Sequence, residues 1–403
     1  MALFDDASLV VTPNGYKAGT LYSIKPTSGA GDMTVVRATT ATRVNSAGLI
    51  ESMANNVPRL DYSNGTCPSL LVEPQRTNSV LYSEQFDNAA WSVQDATITA
   101  NTTTAPNGTL TADTFTRTAN TGFLYSTNPL SLNTGAYSIS VYAKANTISS
   151  FRLDFVTASF GQGVTCVFNL SNGTAGTPVL YGSSTSFVAN IENVGNGWYR
   201  CSLSGNVITG NYYSELAITT SGSIFIWGAQ LELGTYPTSY IPTTSAAVTR
   251  NADEISKTGI SALIGQTEGT FFLDMYYDGV SNNFVLMQTF QNASQLNVNQ
   301  IYLNSTKRLA FEVGANASII STNPISAGRL KIAGAYKNND FVLYLNGTQL
   351  GSDTSGTVIA TDSITFNDYY ALPSTYKQLM QINSAVLFPT RLTNAELATL
   401  TTL

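Results

Sequence analysis

The sequence contains no histidine among its 403 residues, and this absence excludes several kinds of active site. A Ser–His–Asp triad, a Cys–His pair and a histidine-ligated zinc ion all need an imidazole. The chain also has no Gly-x-Ser-x-Gly turn, no glycine-rich phosphate-binding loop and no dinucleotide-binding fingerprint. Carboxylates are the side chains left for acid–base chemistry. Because no spacing among them singles out a catalytic pair, we expect the protein not to be an enzyme.

Charged residues are scarce as well. They make up 11% of the chain, whereas about 25% is typical of soluble domains. The 19 basic and 25 acidic residues give a net charge of −6, and no basic stripe indicates nucleic-acid binding. No run of about 18 apolar residues could span a membrane. We therefore expect neither a nucleic-acid nor a membrane partner.

Cysteine is rare too, with only Cys67, Cys166 and Cys201. The odd number and the spacing match no zinc motif. We interpret all three as small buried hydrophobic residues. A Cys166–Cys201 disulfide is the alternative, which a reducing compartment disfavours.

Several segments of the sequence alternate between apolar and polar residues with a period of two. Segments 137–143, 223–228, 269–277 and 340–345 are rich in β-branched and aromatic residues and are bounded by turn formers. Asn-Gly-Thr occurs four times, most clearly at Asn346-Gly347 between two strand patterns, and predicts two-residue hairpins. A helix is predicted only near the C-terminus, where Thr393 and Glu396 form a capping box.

These patterns predict a mainly β fold: antiparallel β-sandwich (jelly-roll) domains in tandem, with a short C-terminal helix. A Pro- and Thr-rich connector near 240–249 separates two long runs of strands. We predict an N-terminal module over 1–79, one jelly roll over 80–247 and another over 248–403.

Segments 36–50, 56–62 and 70–78 resemble the N-terminal module of bacteriophage head-fibre, head-spike and tail-fibre proteins. The segment YSEQFDNAAW at 82–91 resembles the start of their carbohydrate-binding-module-like domain. That resemblance continues through 111–115, 137–144, 195–201, 228–234, 238–243 and 249–253. Segments 329–336, 343–347 and 386–397 resemble a concanavalin A/laminin-G-type jelly roll.

The resemblance implies a structural protein on the virion surface, as a head fibre or tail-associated fibre, with glycan binding as an adhesin. It also implies a homotrimer that attaches to other virion proteins through the N-terminal module. Residues 1–6 show no secretory signal, which fits a virion part made in a bacterial cytoplasm. The alternatives are a polysaccharide depolymerase spike that uses a carboxylate pair, and a purely architectural virion protein without a ligand.

Glycan binding needs aromatic faces beside polar groups. Each tryptophan is more readily explained as a core residue, although Trp91 stays a candidate. In a strand, adjacent residues face opposite sides, so one tyrosine of each adjacent pair should point away from the core. The tyrosine candidates are Tyr212, Tyr213, Tyr276, Tyr277, Tyr369 and Tyr370.

Carboxylates offer no spacing that singles out a catalytic pair. The available acids are Glu73, Glu84, Asp87, Asp113, Asp154, Glu192, Glu232, Asp253 and Glu254. The resemblance leaves room for a structural calcium ion, for which Glu84 and Asp113 are weak candidates, and implies no other cofactor. Arg37, Arg59 and Arg76 either anchor the module to an acidic partner or pair locally with Asp61 or Glu73; we favour local pairing.

Overall fold

A computed structural model describes residues 3–291, 294–314, 317–367 and 377–403. Nearly all regular structure in these residues is antiparallel β-sheet, and a single short α-helix follows the last strand. The predicted mainly β fold class is therefore confirmed.

The strands are short and follow one another closely along the chain. The first half contains β1 (Leu9–Lys17), β2 (Thr20–Lys25), β3 (Met33–Val36), β4 (Ala41–Val44), β5 (Ile50–Met53), β6 (Arg59–Asp61), β7 (Ser69–Val72), β8 (Arg76–Asn78), β9 (Trp91–Gln94), β10 (Ala96–Thr103), β11 (Ala112–Arg117), β12 (Gly122–Ser126), β13 (Leu130–Leu132), β14 (Gly135–Ala145), β15 (Ser150–Thr157), β16 (Gly163–Asn169) and β17 (Thr174–Ala175). The second half contains β18 (Val179–Tyr181), β19 (Thr185–Gly195), β20 (Trp198–Val207), β21 (Gly210–Ile218), β22 (Ser223–Leu233), β23 (Val248–Arg250), β24 (Glu254–Lys257), β25 (Glu268–Tyr277), β26 (Phe284–Gln291), β27 (Ser294–Leu303), β28 (Leu309–Val313), β29 (Ala317–Ile320), β30 (Gly328–Lys337), β31 (Asp340–Leu345), β32 (Thr348–Asp353), β33 (Ser363–Phe366) and β34 (Met380–Phe388). Helix α1 spans Asn394–Thr401, and 3₁₀ turns span Leu3–Asp6, Ala158–Phe160 and Ser261–Leu263.

Contacts divide the chain into two compact units. Unit 1 consists of residues 1–46, 53–75 and 251–403, and unit 2 of residues 47–52 and 76–250. The chain passes from unit 1 to unit 2 at residues 75/76 and returns to unit 1 at residues 250/251. These two boundaries lie within a few residues of the predicted boundaries 79/80 and 247/248. The N-terminal strands β1–β3 belong to the same sheet as β24–β34, although the predicted division into three domains stays a prediction.

Unit 2 is a sandwich of two antiparallel sheets. One sheet has the strand order β10-β11-β22-β14-β20-β19. The other follows β17-β16-β15-β21-β12-β9, with β13 paired to β21 and β18 paired to β16. Both sheets contribute to one core, for example Leu153 and Phe155 from the second sheet and Ile139 and Leu203 from the first. The outer face of the second sheet is thus left to carry polar and aromatic side chains.

Unit 1 is built on one sixteen-stranded antiparallel sheet. Its main path runs β29-β28-β27-β26-β33-β24-β3-β2-β1-β34-β25-β30-β31-β32, and β7 joins it beside β34 and carries β6. The sheet curls around its core, since β29 and β32 at the two ends of the path lie in contact. Strands from both ends of the sequence therefore close one core.

Two local predictions are confirmed in unit 1. Asn346 and Gly347 connect β31 to β32 with φ angles of 46° and 82°, as a type I′ turn requires. At α1 the hydroxyl of Thr393 accepts from the backbone N–H of Glu396, whose carboxylate accepts from the N–H of Thr393. The capping box predicted from sequence is thus present on a helix of 8 residues.

Unit 1 also contains a sealed charge cluster of Arg37, Arg59, Glu73 and Asp253, each at most 2% exposed. Arg37 Nη1 donates to Asp253 Oδ1 at 2.8 Å, and Arg59 Nη1 donates to Glu73 Oε2 at 2.6 Å. Arg59 Nη2 donates to the other Asp253 oxygen. Local pairing with Asp61 or Glu73 was the favoured prediction for the arginines of this module. Arg59 does pair with Glu73, whereas the carboxylate that Arg37 contacts is Asp253, which is 216 positions away in the sequence.

Cys166 and Cys201 are buried, as predicted, whereas Cys67 is exposed, and all three are free thiols. The interpretation as buried residues was wrong for Cys67, which lies in a turn between β6 and β7. Over the described residues, none of the helices is long and apolar enough to cross a membrane.

Candidate functional site

The candidate site lies on the outer face of the second sheet of unit 2. Along β21, Tyr212 and Leu216 point into the core, so Tyr213 and Glu215 face the opposite side. The register places Val156 of β15 beside Tyr213. A strict period of two therefore presents an aromatic and an acidic side chain together on this face.

Half-buried aromatic rings surround these two residues. Phe123 and Tyr125 project from β12, which pairs with β21, and Phe160 lies in the 3₁₀ turn after β15. Together they form an aromatic cleft of about 370 Å³. Its walls are Gln94, Phe123, Tyr125, Val156, Thr157, Ala158, Ser159, Phe160, Tyr213 and Glu215. The volume lies within the range of about 300–1,000 Å³ that small-molecule sites occupy.

An open charge group of Arg152, Asp154 and Glu215 lies at this cleft. Asp154 and Glu215 are directly opposite each other on β15 and β21. Arg152 Nε donates to both Asp154 oxygens at 2.7 and 2.8 Å, and its Nη2 donates to Oδ2 at 2.6 Å. The same Nη2 lies 3.9 Å from Glu215 Oε1, which is buried and has no hydrogen-bond partner among the described residues.

These surroundings affect the pKa values of Glu215 and Asp154 differently. Burial first, then the hydrogen bond with Asp154 and its charge, raise the pKa of Glu215 to about 8 despite the opposing charge of Arg152. Burial also raises the pKa of Asp154, but the hydrogen bonds from Arg152 oppose that rise. Of the two groups, Glu215 therefore has the stronger tendency to keep a proton, and the guanidinium favours the charged form of Asp154.

The guanidinium of Arg152 is held between aromatic rings. Its Cζ lies 5.9 Å from the ring centroid of Phe123 and 5.7 Å from that of Phe160, within cation–π range. The ring of Phe160 in turn lies 5.4 Å from that of Tyr181. Aromatic and charged side chains are thus packed into one connected surface.

The turn that carries Phe160 has an uncommon backbone. Ser159 and Phe160 have φ angles of 58° and 56°, in the left-handed region that favours glycine. Such residues cost on the order of 1–3 kcal/mol each and are concentrated at ligand sites. Two in succession at the rim of the cleft mark it as a functional candidate.

The structure brings few of the predicted glycan-binding residues to this site. Tyr213 lies in the cleft, while Tyr212 is fully buried and donates to the Ile208 carbonyl at 3.1 Å. Trp91 is 6% exposed, and its Nε1 donates to the Tyr82 carbonyl at 3.2 Å, so its position suits packing rather than sugar stacking.

The tyrosine pair on β25 of unit 1 repeats the same alternation. Tyr277 is buried and donates to the Ser281 carbonyl at 2.7 Å, whereas Tyr276 is half-buried on the other face. Tyr276 is therefore the member of this pair that a ligand could reach. Tyr369 and Tyr370 lie outside the described residues.

The two calcium candidates have protein partners. Glu84 Oε1 accepts from the hydroxyl of Tyr240 at 3.1 Å. The Asp113 oxygens accept from the backbone N–H groups of Asn101 and Phe86 at 2.9 and 3.0 Å, and burial raises its pKa to about 6. No group of three or more acidic, cysteine or histidine side chains gathers anywhere in the described ranges, and calcium binding at Glu84 or Asp113 stays a prediction.

Sequence reasoning named Asp154 among nine acids but missed Glu215, Phe123, Tyr125 and Phe160. A signal was available for three of them. Phe123 and Tyr125, like Tyr213 and Glu215, are two residues apart within one strand, and this spacing puts each pair on one face. The register that joins the two pairs, and the turn that adds Phe160, appear only in three dimensions.

No protein-family model matches this chain, and no curated protein matches it. Among solved structures, the CBM40 of the Ruminococcus gnavus IT-sialidase bound to α2,3-sialyllactose is similar at 13% identity and TM-score 0.30, over 34% of this chain and 84% of that chain. The SAP-like pentraxin of Limulus polyphemus is similar at 13% identity and TM-score 0.28, over 34% of this chain and 70% of that chain. The NanB sialidase from Streptococcus pneumoniae is similar at 15% identity and TM-score 0.31, over 36% of this chain and 26% of that chain. Similarities at this level assign no function.

Proposed function

We propose that the aromatic cleft of unit 2 binds a carbohydrate. The observation that supports this most directly is the combination, in one cleft, of four half-buried aromatic rings with a half-buried carboxyl group, that of Glu215. Ligand sites are mostly apolar surfaces with a few placed polar groups that fix orientation. Sugars present the matching chemistry, because apolar C–H faces alternate with hydroxyl groups.

A second cleft, in unit 1, is a weaker candidate although it is larger. It has about 520 Å³ and is formed mainly by residues 321–330. The described residues that line it include no aromatic ring, and its one charged side chain, Arg329, already donates to both oxygens of Asp274 at 2.9 and 2.6 Å. The chemistry for stacking on a sugar is therefore concentrated in unit 2.

The proposal is tested by titrating the whole chain with soluble polysaccharides in a calorimeter. The probes are a neutral glucan, a galactomannan and polygalacturonate. We expect saturable binding to at least one, and Tyr213→Ala should weaken it about tenfold, because losing a stacking ring costs about 1–1.5 kcal/mol.

Tyr22→Ala is the matched control, since Tyr22 is an exposed tyrosine of unit 1, outside the cleft. Its affinity should equal that of the unaltered protein. Equal losses for both variants, or no binding to any probe, would contradict the proposal and favour a purely architectural role.

Hydrolysis of the bound glycan is the second candidate, because Asp154 and Glu215 are directly opposite each other and differ in protonation. A retaining glycosidase uses carboxyl groups about 5–5.5 Å apart, one as acid and one as nucleophile. Asp154, however, is fully buried and accepts three hydrogen bonds from Arg152, which disfavours attack on a sugar. New reducing ends after incubation would support hydrolysis; their absence would leave binding alone.

We also propose that the protein is displayed on a virion surface as a homotrimer, attached through residues 1–79. This part rests on the sequence resemblance to phage fibre proteins. Sedimentation equilibrium of the whole chain tests the trimer, and immunogold labelling of the particle tests its placement.

A further inference from the structure

We propose that the aromatic cleft of unit 2 binds an uncharged polysaccharide chain over several sugar units, with Tyr181 as a stacking position beyond the cleft itself. The inference rests on the proposed carbohydrate site and specifies the class of its ligand. The bound chain lies across the strands of the second sheet, from β12 towards β18.

The aromatic surface continues past the cleft in one direction. Tyr213 on β21 is directly opposite Val156 on β15. Val156 is in turn opposite Gly163 on β16, and Gly163 is opposite Tyr181 on β18. Directly opposite residues of antiparallel strands project from the same face of a sheet, so Tyr181 shares the outer face with Tyr213. Three strand spacings place the two tyrosines about 14 Å apart along this row, which is longer than a single sugar ring.

The row between the two tyrosines carries little side-chain bulk. Gly163 has a φ angle of 122°, and a Cβ atom there would overlap the carbonyl oxygen of Phe155, so the position requires glycine. Tyr181 at the far end is half-buried, and its partly exposed ring is accessible from this face. A ligand chain can therefore extend from the cleft to Tyr181 without meeting a large side chain in the row.

The rings along this path are held in place before any ligand binds. The guanidinium carbon of Arg152 lies 5.9 Å from the ring centroid of Phe123 and 5.7 Å from that of Phe160. The centroid of the Phe160 ring lies 5.4 Å from that of Tyr181, which links Tyr181 to the cleft wall. Side chains that are already ordered lose little conformational entropy on binding, so a preformed row of rings favours a long, weakly polar ligand.

The charges at the cleft favour an uncharged ligand. Among the described residues that line it, none is a lysine or an arginine, and the one carboxyl group is that of Glu215. Arg152 nearby gives its three hydrogen bonds to Asp154. Arg152, Asp154 and Glu215 together carry no net positive charge, whether or not Glu215 is protonated. An acidic sugar would leave water without gaining a matching cation, which is costly.

Uncharged polar groups lie at both sides of the cleft. Gln94 is exposed on β9 at one side, and Ser159 is exposed in the turn after β15 at the other. An amide and a hydroxyl group each donate and accept hydrogen bonds, as sugar hydroxyl groups do. These two side chains can therefore orient a neutral sugar without the need for a charge.

The test is calorimetric titration of the whole chain, first with the neutral glucan, the galactomannan and polygalacturonate. We expect at least one of the two neutral polysaccharides to bind and polygalacturonate to bind much more weakly. Fragments of two and six sugar units are then cut from the polysaccharide that binds. The affinity should rise about tenfold from two to six units, because the longer fragment also reaches Tyr181.

Tyr181→Ala should remove most of this rise. We expect it to weaken binding of the six-unit fragment about fivefold more than binding of the two-unit fragment, because only the longer one loses a stacking ring. Tyr181→Phe keeps the ring and should restore the dependence on length. Tyr22→Ala is the matched control, since Tyr22 is an exposed tyrosine of unit 1, and it should keep the full rise.

The outcomes separate this inference from the proposed function. Equal affinity for both fragments, an equal loss for both in Tyr181→Ala, or polygalacturonate binding as tight as that of the neutral chains would overturn the inference and leave carbohydrate binding intact. A changed sedimentation equilibrium of Tyr181→Ala would assign the ring to a subunit contact and overturn it too. No binding to any of the three polysaccharides would overturn the proposed function, and the inference with it.

Discussion

Two groups of buried charges in this molecule follow different rules. The sealed charge cluster of unit 1 has two arginines and two carboxylates, all at most 2% exposed and paired across the group. The open charge group of unit 2 has one arginine for two carboxyl groups and borders a cleft. Breaking a sealed and paired cluster is costly to the fold, whereas a carboxyl group that has no cation of its own and borders a cleft is a candidate for a functional role.

The two groups also differ in the hydrogen bonds that their side chains make. In the sealed cluster, Arg37 donates to the carbonyls of Thr39, Val57 and Ala54 as well as to Asp253. In the open group, Glu215 Oε1 has no such partner within the described ranges. The four acceptors hold Arg37 within the fold, whereas the Glu215 oxygen lies at a cleft that a ligand can enter.

The largest expected effect tests the structural half of the comparison. Asp253→Asn should lower the free energy of unfolding by about 3–5 kcal/mol, because it leaves two buried arginines with one carboxylate. Calorimetry of thermal unfolding measures it. Asp340→Asn, whose side chain is 50% exposed and paired with Arg391, should cost less than about 1 kcal/mol. Equal costs would remove the distinction between sealed and exposed pairs.

The next effect tests the open group through the pH dependence of stability. The pKa of Glu215 is higher in the folded than in the unfolded protein, so the folded state binds more protons between about pH 4.5 and 8. Its contribution to stability is present at low pH and is lost as the pH rises through about 8. Glu215→Gln should therefore gain stability relative to wild type between pH 5 and pH 9, by roughly 1–3 kcal/mol. Urea denaturation at both pH values measures this, and parallel pH profiles would contradict it.

The smallest effect concerns the rim of the cleft. Ser159→Gly should raise the free energy of unfolding by about 0.5–1 kcal/mol, since glycine adopts the left-handed backbone without strain. Ala158→Gly, one residue earlier and without a positive φ, should lower it by a similar amount. Urea denaturation again compares the two. A loss of stability in Ser159→Gly would show that the rim is not strained.

Much of the fold could be predicted from local patterns. Alternation gave β14, β22, β25 and β31, the Asn346-Gly347 turn gave one hairpin, and Thr393 with Glu396 gave the helix start. These features depend on residues a few positions apart, so their cause lies within the printed sequence. Alternation also required one member of the pair Tyr212-Tyr213 to leave the core, and Tyr213 does.

The site itself could be predicted only in fragments. Asp154 was one acid among many, and nothing in the sequence joins it to Glu215, which is 61 positions later but directly opposite it in the sheet. The same holds in unit 1, where Arg37 and Asp253 are 216 positions apart. Long-range register decides such pairs, and it follows from the packing of a whole core rather than from any local preference.

The sequence by itself determined the class of the protein: mainly β, poor in charge, and without the imidazole that many active sites need. Period-two alternation and turn residues act over a few positions, so they can be read directly. Only the tertiary structure decided which charges are sealed and which border a cleft. Burial and pairing set the protonation of Glu215, and both arise from strands that meet after the chain has folded.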